Sequence, residues 1–331
     1  MSSSITSMRR SIAGFPKNSL KDDWINPSKE FGPSASGKRM IITRTAGNVS
    51  VTDRGEKIGL NVCRKKPGRR SLELETFNLD KLTEAARDFL QSPLNVVGEL
   101  DSLRIFDQPL IGVASASDPL FDELKEANVV GSQHLSPNEW LGSARAVISY
   151  FLPFTKRVRE ANRLLGLPAT EWLYGRIEGE RLNVAIRESV VRLVADSGYD
   201  AVAPALDARF KVTNRRSNWS ERHVAYIAGL GTFSLSCSLI TKLGSAGRLG
   251  SVIVSADLAP TPRSYQSRDE YCSKCGSCIP RCPPIAITKR GKDHIVCSDY
   301  LDRVKVRYSP RYGCGKCQAG VPCEYRIPAA R

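Results

Sequence analysis

Long hydrophobic runs are missing from this sequence of 331 residues. The longest apolar stretches, around Ala146–Phe154 and Leu249–Val254, have the length of strands and fall well short of the roughly 18 residues that a membrane-spanning helix needs. We therefore expect no membrane span and a soluble protein. A hydrophobic fraction of 41% is enough for a sizeable core, and the length suits two compact units with an additional tail.

Cysteine is scarce over most of the chain. Eight of the ten cysteines lie between Cys272 and Cys323, and the other two, Cys63 and Cys237, stand alone. A disulfide-rich secreted domain usually carries a signal peptide, and the N-terminus has no apolar segment of that kind. The cysteine-dense segment is therefore better explained by metal ligation than by disulfides. Oxygen-sensitive metal sites favour a reducing compartment, so we expect the cytoplasm.

The positive charge of the chain is uneven. The net charge is +15, and Met1–Arg70 contains 15 Lys and Arg against 5 Asp and Glu, so that +10 lies in this stretch. We predict that residues 1–75 form a basic, disordered or loosely structured extension with short β-type runs at Met40–Thr43 and Asn48–Thr52. The serine-rich start, Met1–Leu20, also suits an organelle transit peptide. Because the basic excess lies in the extension, the charge gives little support for nucleic-acid binding by the folded body.

Alternating helix and strand patterns predict a mixed α+β fold, with an α/β domain over residues 76–265. The predicted elements are a helix from near Asn78, a buried strand at Leu110–Ala114, a helix opened by Asp118-Pro119, a buried strand at Ala146–Phe151, a long amphipathic helix at Thr170–Asp196 ended by Gly198, and a short strand at Ala201–Ala203.

The first half of the cysteine-dense segment has the spacing of a ferredoxin. Cys272, Cys275, Cys278 and Cys282 are separated by two, two and three residues, and Pro283 follows directly. This is the C-x2-C-x2-C-x3-C-P run of bacterial ferredoxins, whose fourth cysteine binds the other of two clusters. Thiolates are soft donors that suit iron bridged by sulfide.

The second half of the segment supplies four more thiolates in a looser order. The ferredoxin pattern assigns the eight cysteines to two [4Fe–4S] clusters in a crossed order. The first cluster takes Cys272, Cys275, Cys278 and Cys323, and the second takes Cys282, Cys297, Cys314 and Cys317. A zinc ribbon is the alternative, but three cysteines at successive two-residue gaps followed by Cys-Pro are unusual for zinc. We predict a ferredoxin-like domain with two [4Fe–4S] clusters over residues 266–331.

Together with the residues before it, this segment resembles the epoxyqueuosine reductases and the related reductive dehalogenases. The resemblance covers roughly residues 95–328 and rests on Glu221-Arg222, Ala228-Gly229-Leu230-Gly231, Leu239-Ile240-Thr241 with Gly244, Leu249-Gly250, Cys272–Pro283 and Cys297-Ser298-Asp299-Tyr300. It implies a nitroreductase-like, cobalamin-binding α/β domain followed by a ferredoxin-like domain with two [4Fe–4S] clusters.

The resemblance also implies a cofactor site and partners. Cobalamin would contact Ala228, Gly229, Leu230, Gly231, Thr241 and Gly244. The electron donor would be a ferredoxin or flavodoxin, and the substrate a small molecule or a tRNA. Without the resemblance, Ala228–Gly231 is a turn signal after an amphipathic stretch, which suits either close approach of a flat ligand or the C-cap of a helix.

One position departs from the family. Epoxyqueuosine reductases have an aspartate, the general acid, six residues before the Glu-Arg pair, where this chain has Arg215. Arginine does not release a proton at neutral pH, which puts a tRNA substrate in question. Arg215 and Arg216 suit either a clamp for an anionic substrate or solvated surface positions.

Several single residues near the glycine turn have two interpretations. His223 is either a proton donor or, as we favour, a packed histidine. Trp172, Trp219 and Tyr226 are expected in the core first and beside a cofactor second. For Cys237 we expect a buried, unreactive side chain.

Three functions are consistent with the sequence. The first is an enzyme in which two [4Fe–4S] clusters pass electrons to cobalamin for a reductive reaction. The second is an electron-transfer protein or subunit without cobalamin. The third is an epoxyqueuosine reductase that acts on tRNA and uses the basic N-terminal stretch for phosphate contacts.

Overall fold

The computed structural model describes residues 42–45, 48–51 and 77–329. The chain divides into two compact units, Met1–Arg69 and Arg70–Arg331. In the first unit, strands β1 (Ile42–Thr45) and β2 (Asn48–Val51) pair antiparallel. The β-type run predicted at Asn48–Thr52 is confirmed as a strand over Asn48–Val51, whereas the strand near the run predicted at Met40–Thr43 lies two residues later, at Ile42–Thr45. The rest of the predicted loose extension, and Cys63, lie outside the described residues.

The second unit contains seven helices among its described residues. They are α1 (Leu79–Gln91), α2 (Leu120–Glu123), α3 (Pro137–Trp140), α4 (Lys156–Ala161), α5 (Thr170–Asp196), α6 (Glu221–Ile227) and α7 (His294–Tyr308). Three single 3-10 turns lie at Pro93–Asn95, Gly98–Leu100 and Pro204–Leu206.

The sequence patterns locate the main helices well. Helix α1 begins after Asn78, whose side chain accepts a hydrogen bond from the Lys81 N–H at 3.0 Å and so caps the first turn. Helix α5 has the predicted bounds, and Gly198 follows it with a φ of +85°, the left-handed conformation that commonly ends a helix. The helix predicted after Asp118-Pro119 is a single turn, α2.

The described strands of the second unit are β3 (Val96–Val97), β4 (Leu103–Arg104), β5 (Leu110–Ser115), β6 (Ala146–Pro153), β7 (Ala201–Val202), β8 (Val212–Thr213), β9 (Arg216–Ser217), β10 (Gly231–Phe233), β11 (Leu239–Thr241), β12 (Gly247–Val254), β13 (Ile287–Thr288) and β14 (Gly291–Lys292). The largest sheet has the order β5-β6-β12-β7, with all neighbours antiparallel. The other strands form two-stranded hairpins.

Helices cover both faces of this sheet. Ile148 and Val252 belong to the core that α5 covers, whereas Val147 and Ile253 belong to the core that α6 covers. This alternation follows from the two-residue period of a strand, and it explains why all eight residues of β6 are buried. The mixed helix and sheet architecture predicted from the sequence is confirmed. No helix among the described residues is long and apolar enough to cross a membrane.

The cysteine-rich C-terminal segment contains little regular structure beyond β13, β14 and α7. It is attached to the end of β11 and the start of β12 by backbone hydrogen bonds. The Ser245 N–H donates to the Cys323 carbonyl at 2.9 Å, and the Ala246 N–H donates to the Glu324 carbonyl at 3.1 Å. The predicted domains 76–265 and 266–331 therefore belong to one compact unit, and the boundary between them stays a prediction.

Candidate metal centre

Four cysteines, one of them about 45 residues after the other three, line one cavity. These are Cys272, Cys275, Cys278 and Cys323, and residues 234–236 form another part of the wall. The backbone at Lys274 and Gly276 has positive φ values of +51° and +74°, which turns the chain sharply between the first three cysteines. This set is the first of the two groups that the ferredoxin pattern predicts.

A second set of four cysteines lies together beside the first. The thiols of Cys317, Cys297 and Cys282 lie close enough to Cys314 to raise its pKa electrostatically. Cys297 stands in the first turn of α7, where the Asp293 side chain caps the helix by accepting hydrogen bonds from the N–H groups of residues 295 and 296. These are the four cysteines of the second predicted group, and their ligation of one cluster stays a prediction. The two groups adjoin, because Cys317 is also a neighbour of Cys278.

None of the cysteines within residues 77–329 forms a disulfide. Burial, with a smaller contribution from the nearby thiols of Cys317 and Cys323, raises the pKa of the Cys278 thiol to about 12. Burial likewise raises the pKa of Cys314 to about 12 and that of Cys323 to about 11. The thiolate is the form that ligates metal, and crowded, buried thiols adopt that form when bound cations compensate the charge.

Over residues 77–329, no group of three or more His, Cys, Asp or Glu side chains is close enough together to coordinate one single metal ion. The four thiolates of a cubane bind four different irons at the corners of a larger body. The two groups of four cysteines provide the number and the kind of donor that two such clusters require.

Hydrogen-bond donors surround the cysteine sulfurs. The Ala286 N–H donates to Cys282 Sγ at 3.2 Å, and the Ser245 hydroxyl lies 3.9 Å from Cys323 Sγ. A hydrogen bond from Ser236 also acts on Cys317. Bonds of this kind stabilise the more negative, reduced form of an iron–sulfur cluster.

Sequence reasoning missed two features of this centre. Ser234, Ser236 and Ser238 form a buried ring of hydroxyl contacts at 2.8 to 3.0 Å beside the cysteines. Their only sequence signal is the alternation of serines through residues 234–238. The second feature is Lys292 on β14. Burial acts to lower the pKa of Lys292, but the neighbouring Cys317 and Cys297 outweigh that effect, so the pKa is raised and a positive charge is retained beside the second group.

The six positions for which the resemblance implies cobalamin contact are mostly covered by the chain itself. Ala228 and Thr241 have none of their surface exposed, and Leu230 has 4%. The Thr241 hydroxyl donates to the Gly244 carbonyl at 2.9 Å within the turn that follows β11. Gly229 is partly exposed, and it follows Ala228, the C-cap of α6, with a φ of +78°, the left-handed conformation that commonly ends a helix.

Two of these glycines are required by close backbone contacts. A Cβ atom on Gly231 would overlap the Ile240 carbonyl of the paired strand β11. A Cβ atom on Gly244 would overlap the backbone of Glu324 and Tyr325 in the cysteine-rich segment. Five of the six positions are buried, and only Gly229 offers partly exposed backbone against which a corrin could lie. The cobalamin contact implied for these positions stays a prediction, and their burial does not favour it.

Arg215, which stands in place of the expected aspartate, and its neighbour Arg216 make contacts within the protein. Arg215 Nη2 donates to Asp299 Oδ1 at 2.7 Å and to Asp302 Oδ2 at 3.3 Å, both on α7. Arg216 Nη1 donates to the backbone carbonyls of Ala127 and Val130. Arg215 therefore connects the β8–β9 turn to the helix that carries Cys297, and these contacts favour a structural role over a substrate clamp.

The single residues near the glycine turn have the following positions. His223 is packed against Phe233 with ring centroids 4.8 Å apart, and its Nδ1 lies 2.7 Å from the Ser220 hydroxyl. Burial lowers its pKa to about 3, so it is neutral at pH 7 and does not serve as an imidazolium proton donor. Trp172 and Trp219 are buried core residues, with 3% and 1% of their surface exposed.

One prediction here is wrong: Cys237 is exposed rather than buried. Its backbone has a φ of +58°, and its carbonyl accepts a hydrogen bond from Arg222 Nη1 at 2.6 Å. The tight turn between β10 and β11 directs this residue outward, because the serines on either side of it fill the interior.

Solved structures that are similar to this chain have low sequence identity. An epoxyqueuosine reductase from Bacillus subtilis is 17% identical over 76% of this chain and 68% of its own, with a TM-score of 0.43. An epoxyqueuosine reductase with an epoxyqueuosine-modified tRNA-Tyr stem loop is 18% identical over 75% of this chain and 66% of its own, with a TM-score of 0.43.

A reductive dehalogenase, for which a B12-dependent mechanism is suggested, is 14% identical over 66% of this chain and 30% of its own, with a TM-score of 0.45. The chain thus spans about two thirds of the length of these epoxyqueuosine reductases and less than a third of this dehalogenase. The chain matches no protein-family model and no curated protein. Its structural neighbours are reductases of the two families that the sequence resembles, and the similarity is distant.

Proposed function

We propose that this protein is an iron–sulfur oxidoreductase that holds two [4Fe–4S] clusters and transfers single electrons. The observation that supports this proposal most strongly is the crossed arrangement of the cysteines. Cys323 shares a cavity with the first three cysteines of the ferredoxin run, whereas Cys282, the fourth of that run, neighbours Cys314 and Cys317. This is the ligand order that a two-cluster ferredoxin requires.

When bound, the clusters supply one-electron chemistry, and the chain supplies their environment. The eight thiolates hold the iron, and burial of residues such as Cys278 limits access of water. The donors at Ala286, Ser245 and Ser236 and the cation at Lys292 favour the reduced, more negative state. These features support electron storage and transfer rather than a purely structural metal site.

The identity of the electron acceptor is a point on which the family resemblance and the structure lead to different conclusions. The resemblance implies cobalamin, but the positions implied to contact it are buried by the chain's own backbone. We therefore derive no step through cobalamin. This observation favours the second function considered from the sequence, an electron-transfer protein or subunit that passes electrons to a partner without cobalamin.

Epoxyqueuosine reduction in tRNA is not part of the proposal. Arg215 stands where that reaction needs a proton donor, and its guanidinium is paired with Asp299 and Asp302. The aspartates lie on α7, so an acid at position 215 would also meet two negative charges.

Metal analysis after anaerobic reconstitution tests the proposed function. We would supply iron and sulfide together with cobalamin, remove unbound material, and assay iron, sulfide and cobalt in each chain. The proposal predicts about eight irons and eight sulfides, the content of two cubanes. Tight binding of about one cobalt in each chain would instead support the hypothesis of a cobalamin-dependent enzyme. An iron content near zero would contradict the proposed function.

A further inference from the structure

The loop between α4 and α5, residues 162–169, exposes three leucines. Leu164, Leu165 and Leu167 have 78%, 68% and 44% of their surface exposed. Gly166 separates them with a φ of +88°, a conformation that glycine adopts readily. Single exposed apolar residues are ordinary, but three within four positions form a local patch of the kind that marks interaction sites. We call this segment the leucine loop.

The leucine loop is held in place by buried polar groups. Lys316 has 1% of its surface exposed, and its ammonium donates to the carbonyls of Leu164 at 2.6 Å and Asn162 at 3.3 Å. The buried Asn162 side chain closes the loop by accepting a hydrogen bond from the Ala169 N–H at 3.1 Å. A charged group is rarely buried unless it is paired, so these contacts fix the backbone that presents the leucines.

The same contacts place the leucine loop next to the second cysteine group. The Asn162 amide donates to the Cys314 carbonyl at 2.9 Å, and Lys316 lies between Cys314 and Cys317 in the chain. Arg281, the neighbour of Cys282, donates to the Arg163 carbonyl at 2.6 Å. Three of the four cysteines of this group are therefore linked to the leucine loop. Cys314 accepts a hydrogen bond from Asn162, and Cys317 and Cys282 directly follow Lys316 and Arg281 in the sequence.

The exposed side chains of α4 and of the residue directly before the leucines are mainly basic. Lys156, Arg157 and Arg163 are exposed on or directly after α4, and the one exposed acid among them is Glu160. Arg163 pairs with Glu160 at 3.2 Å and with the buried Glu324 at 2.9 Å, while Arg157 lies 3.4 Å from Asp101. Arg159 also pairs with Glu324, so the four basic residues of this segment face three acids and leave a net charge of +1. This positive excess complements an acidic partner and increases its rate of association.

We propose that the leucine loop is the docking surface for an acidic, one-electron carrier protein that delivers electrons to the second cysteine group. An apolar centre with a charged rim is the usual anatomy of a protein interface. In the exchange the carrier is oxidised by one electron while the cluster held by Cys282, Cys297, Cys314 and Cys317 is reduced by one, and no bond is formed or broken. This inference rests on the proposed function.

The test compares two reductants on the fully reconstituted protein. One is a purified acidic ferredoxin, which must dock, and the other is reduced methyl viologen, a small molecule that needs no docking surface. The test variant is L164S/L165S/L167S, and the matched control is L94S/V129S, which changes apolar side chains that are exposed elsewhere, at 47% and 37%. Cluster reduction is followed by stopped-flow loss of visible absorbance.

We expect the rate constant with ferredoxin to fall by at least about tenfold in the triple variant, because buried apolar contacts carry much of the affinity of an interface. Reduction by methyl viologen and the behaviour of the control should not change. The ferredoxin rate of the parent protein should also fall as salt is raised.

Three outcomes would overturn the proposal. The first is an unchanged ferredoxin rate in the triple variant. The second is a dimer in sedimentation analysis that the triple variant dissociates, which would assign the leucines to a contact between two copies. The third is failure of methyl viologen to reduce any reconstituted variant, which would contradict the proposed function itself and the docking surface with it.

Discussion

The backbone of Gly315 lies against the indole ring of Trp172, with no space for a side chain between them. A Cβ atom on Gly315 would overlap the ring, and the residue has a φ of +63°. Because Gly315 separates Cys314 from Lys316, this contact fixes part of the second cysteine group on α5. The buried Trp172 is a support for that group as well as a residue of the core.

The substitution Gly315→Ala tests this contact. We expect the free energy of unfolding to fall by about 2–4 kcal/mol, because overpacking adds to the penalty of a left-handed alanine. The matched control is Gly198→Ala, which has a φ of +85° but no atom within 4 Å of the added methyl group, and which should lose only about 1–2 kcal/mol. Equal losses measured by chemical denaturation would show that the Trp172 contact does not matter.

Lys292 should influence the reduction potential of the second cluster. A positive charge beside Cys297 and Cys317 favours the reduced state, so Lys292→Met should make one of two midpoint potentials more negative. The exposed Lys289 provides the control, and Lys289→Met should leave both potentials in place. Redox titration followed by electron paramagnetic resonance measures this shift. If both midpoint potentials are unchanged in Lys292→Met, then the ammonium of Lys292 does not lie close enough to the second cysteine group to influence it.

The buried histidines should make stability depend on pH. Burial lowers the pKa of His134 from 6.5 to about 4 and that of His223 from 6.5 to about 3. Above about pH 6.5 both histidines are neutral in the folded and in the unfolded state. As the pH falls from there towards the pKa values of the folded state, the unfolded histidines are protonated first, and the free energy of unfolding decreases. At pH 5 the loss should reach about 1–2 kcal/mol for each residue.

The substitution His223→Gln should remove part of this pH dependence. Denaturation at pH 7 and pH 5 measures it, and the exposed His294→Gln is the control. If His223→Gln shows the same loss between the two pH values as the parent protein, then His223 is not a neutral buried group in the folded state.

Arg215 is expected to act as a structural link between the β8–β9 turn and α7. Its pairs with Asp299 and Asp302 are partly exposed, so Arg215→Ala should lower the free energy of unfolding by at most about 1 kcal/mol. Arg215→Asp should be worse, because it places three carboxylates together. The exchange R215D/D299R should recover part of the loss in thermal denaturation. No difference between the alanine and aspartate variants would show that the link has no role.

Local patterns predict the parts of this structure that depend on local physics. The bounds of α5 follow from its apolar stripe and from Gly198, and β6 follows from a continuous apolar run. Loop length also predicts which cysteines group together, because it restricts which thiols in the run C-x2-C-x2-C can share a cluster, and this grouping stays a prediction.

The remaining features depend on contacts between distant parts of the chain. Gly244 needs its small size because the backbone of Tyr325 lies against it, about 80 residues later in the sequence. Arg215 meets Asp299 by a similar long-range contact, and no local pattern indicates that pairing. A glycine-rich turn looks the same in a sequence whether it approaches a cofactor or another strand, and only the fold distinguishes the two cases.

The crossed ligation of two clusters is the central claim, and paired substitutions test it most directly. We would reconstitute C282A/C297A and C272A/C282A, reduce them with dithionite, and quantify the electron paramagnetic resonance signal of the reduced [4Fe–4S] clusters in spins per chain. In the crossed arrangement C282A/C297A damages only the second group and keeps about one intact cluster, while C272A/C282A damages both groups and keeps none. The reverse result, one intact cluster in C272A/C282A and none in C282A/C297A, would show that each half of the segment binds its own cluster and would contradict the account.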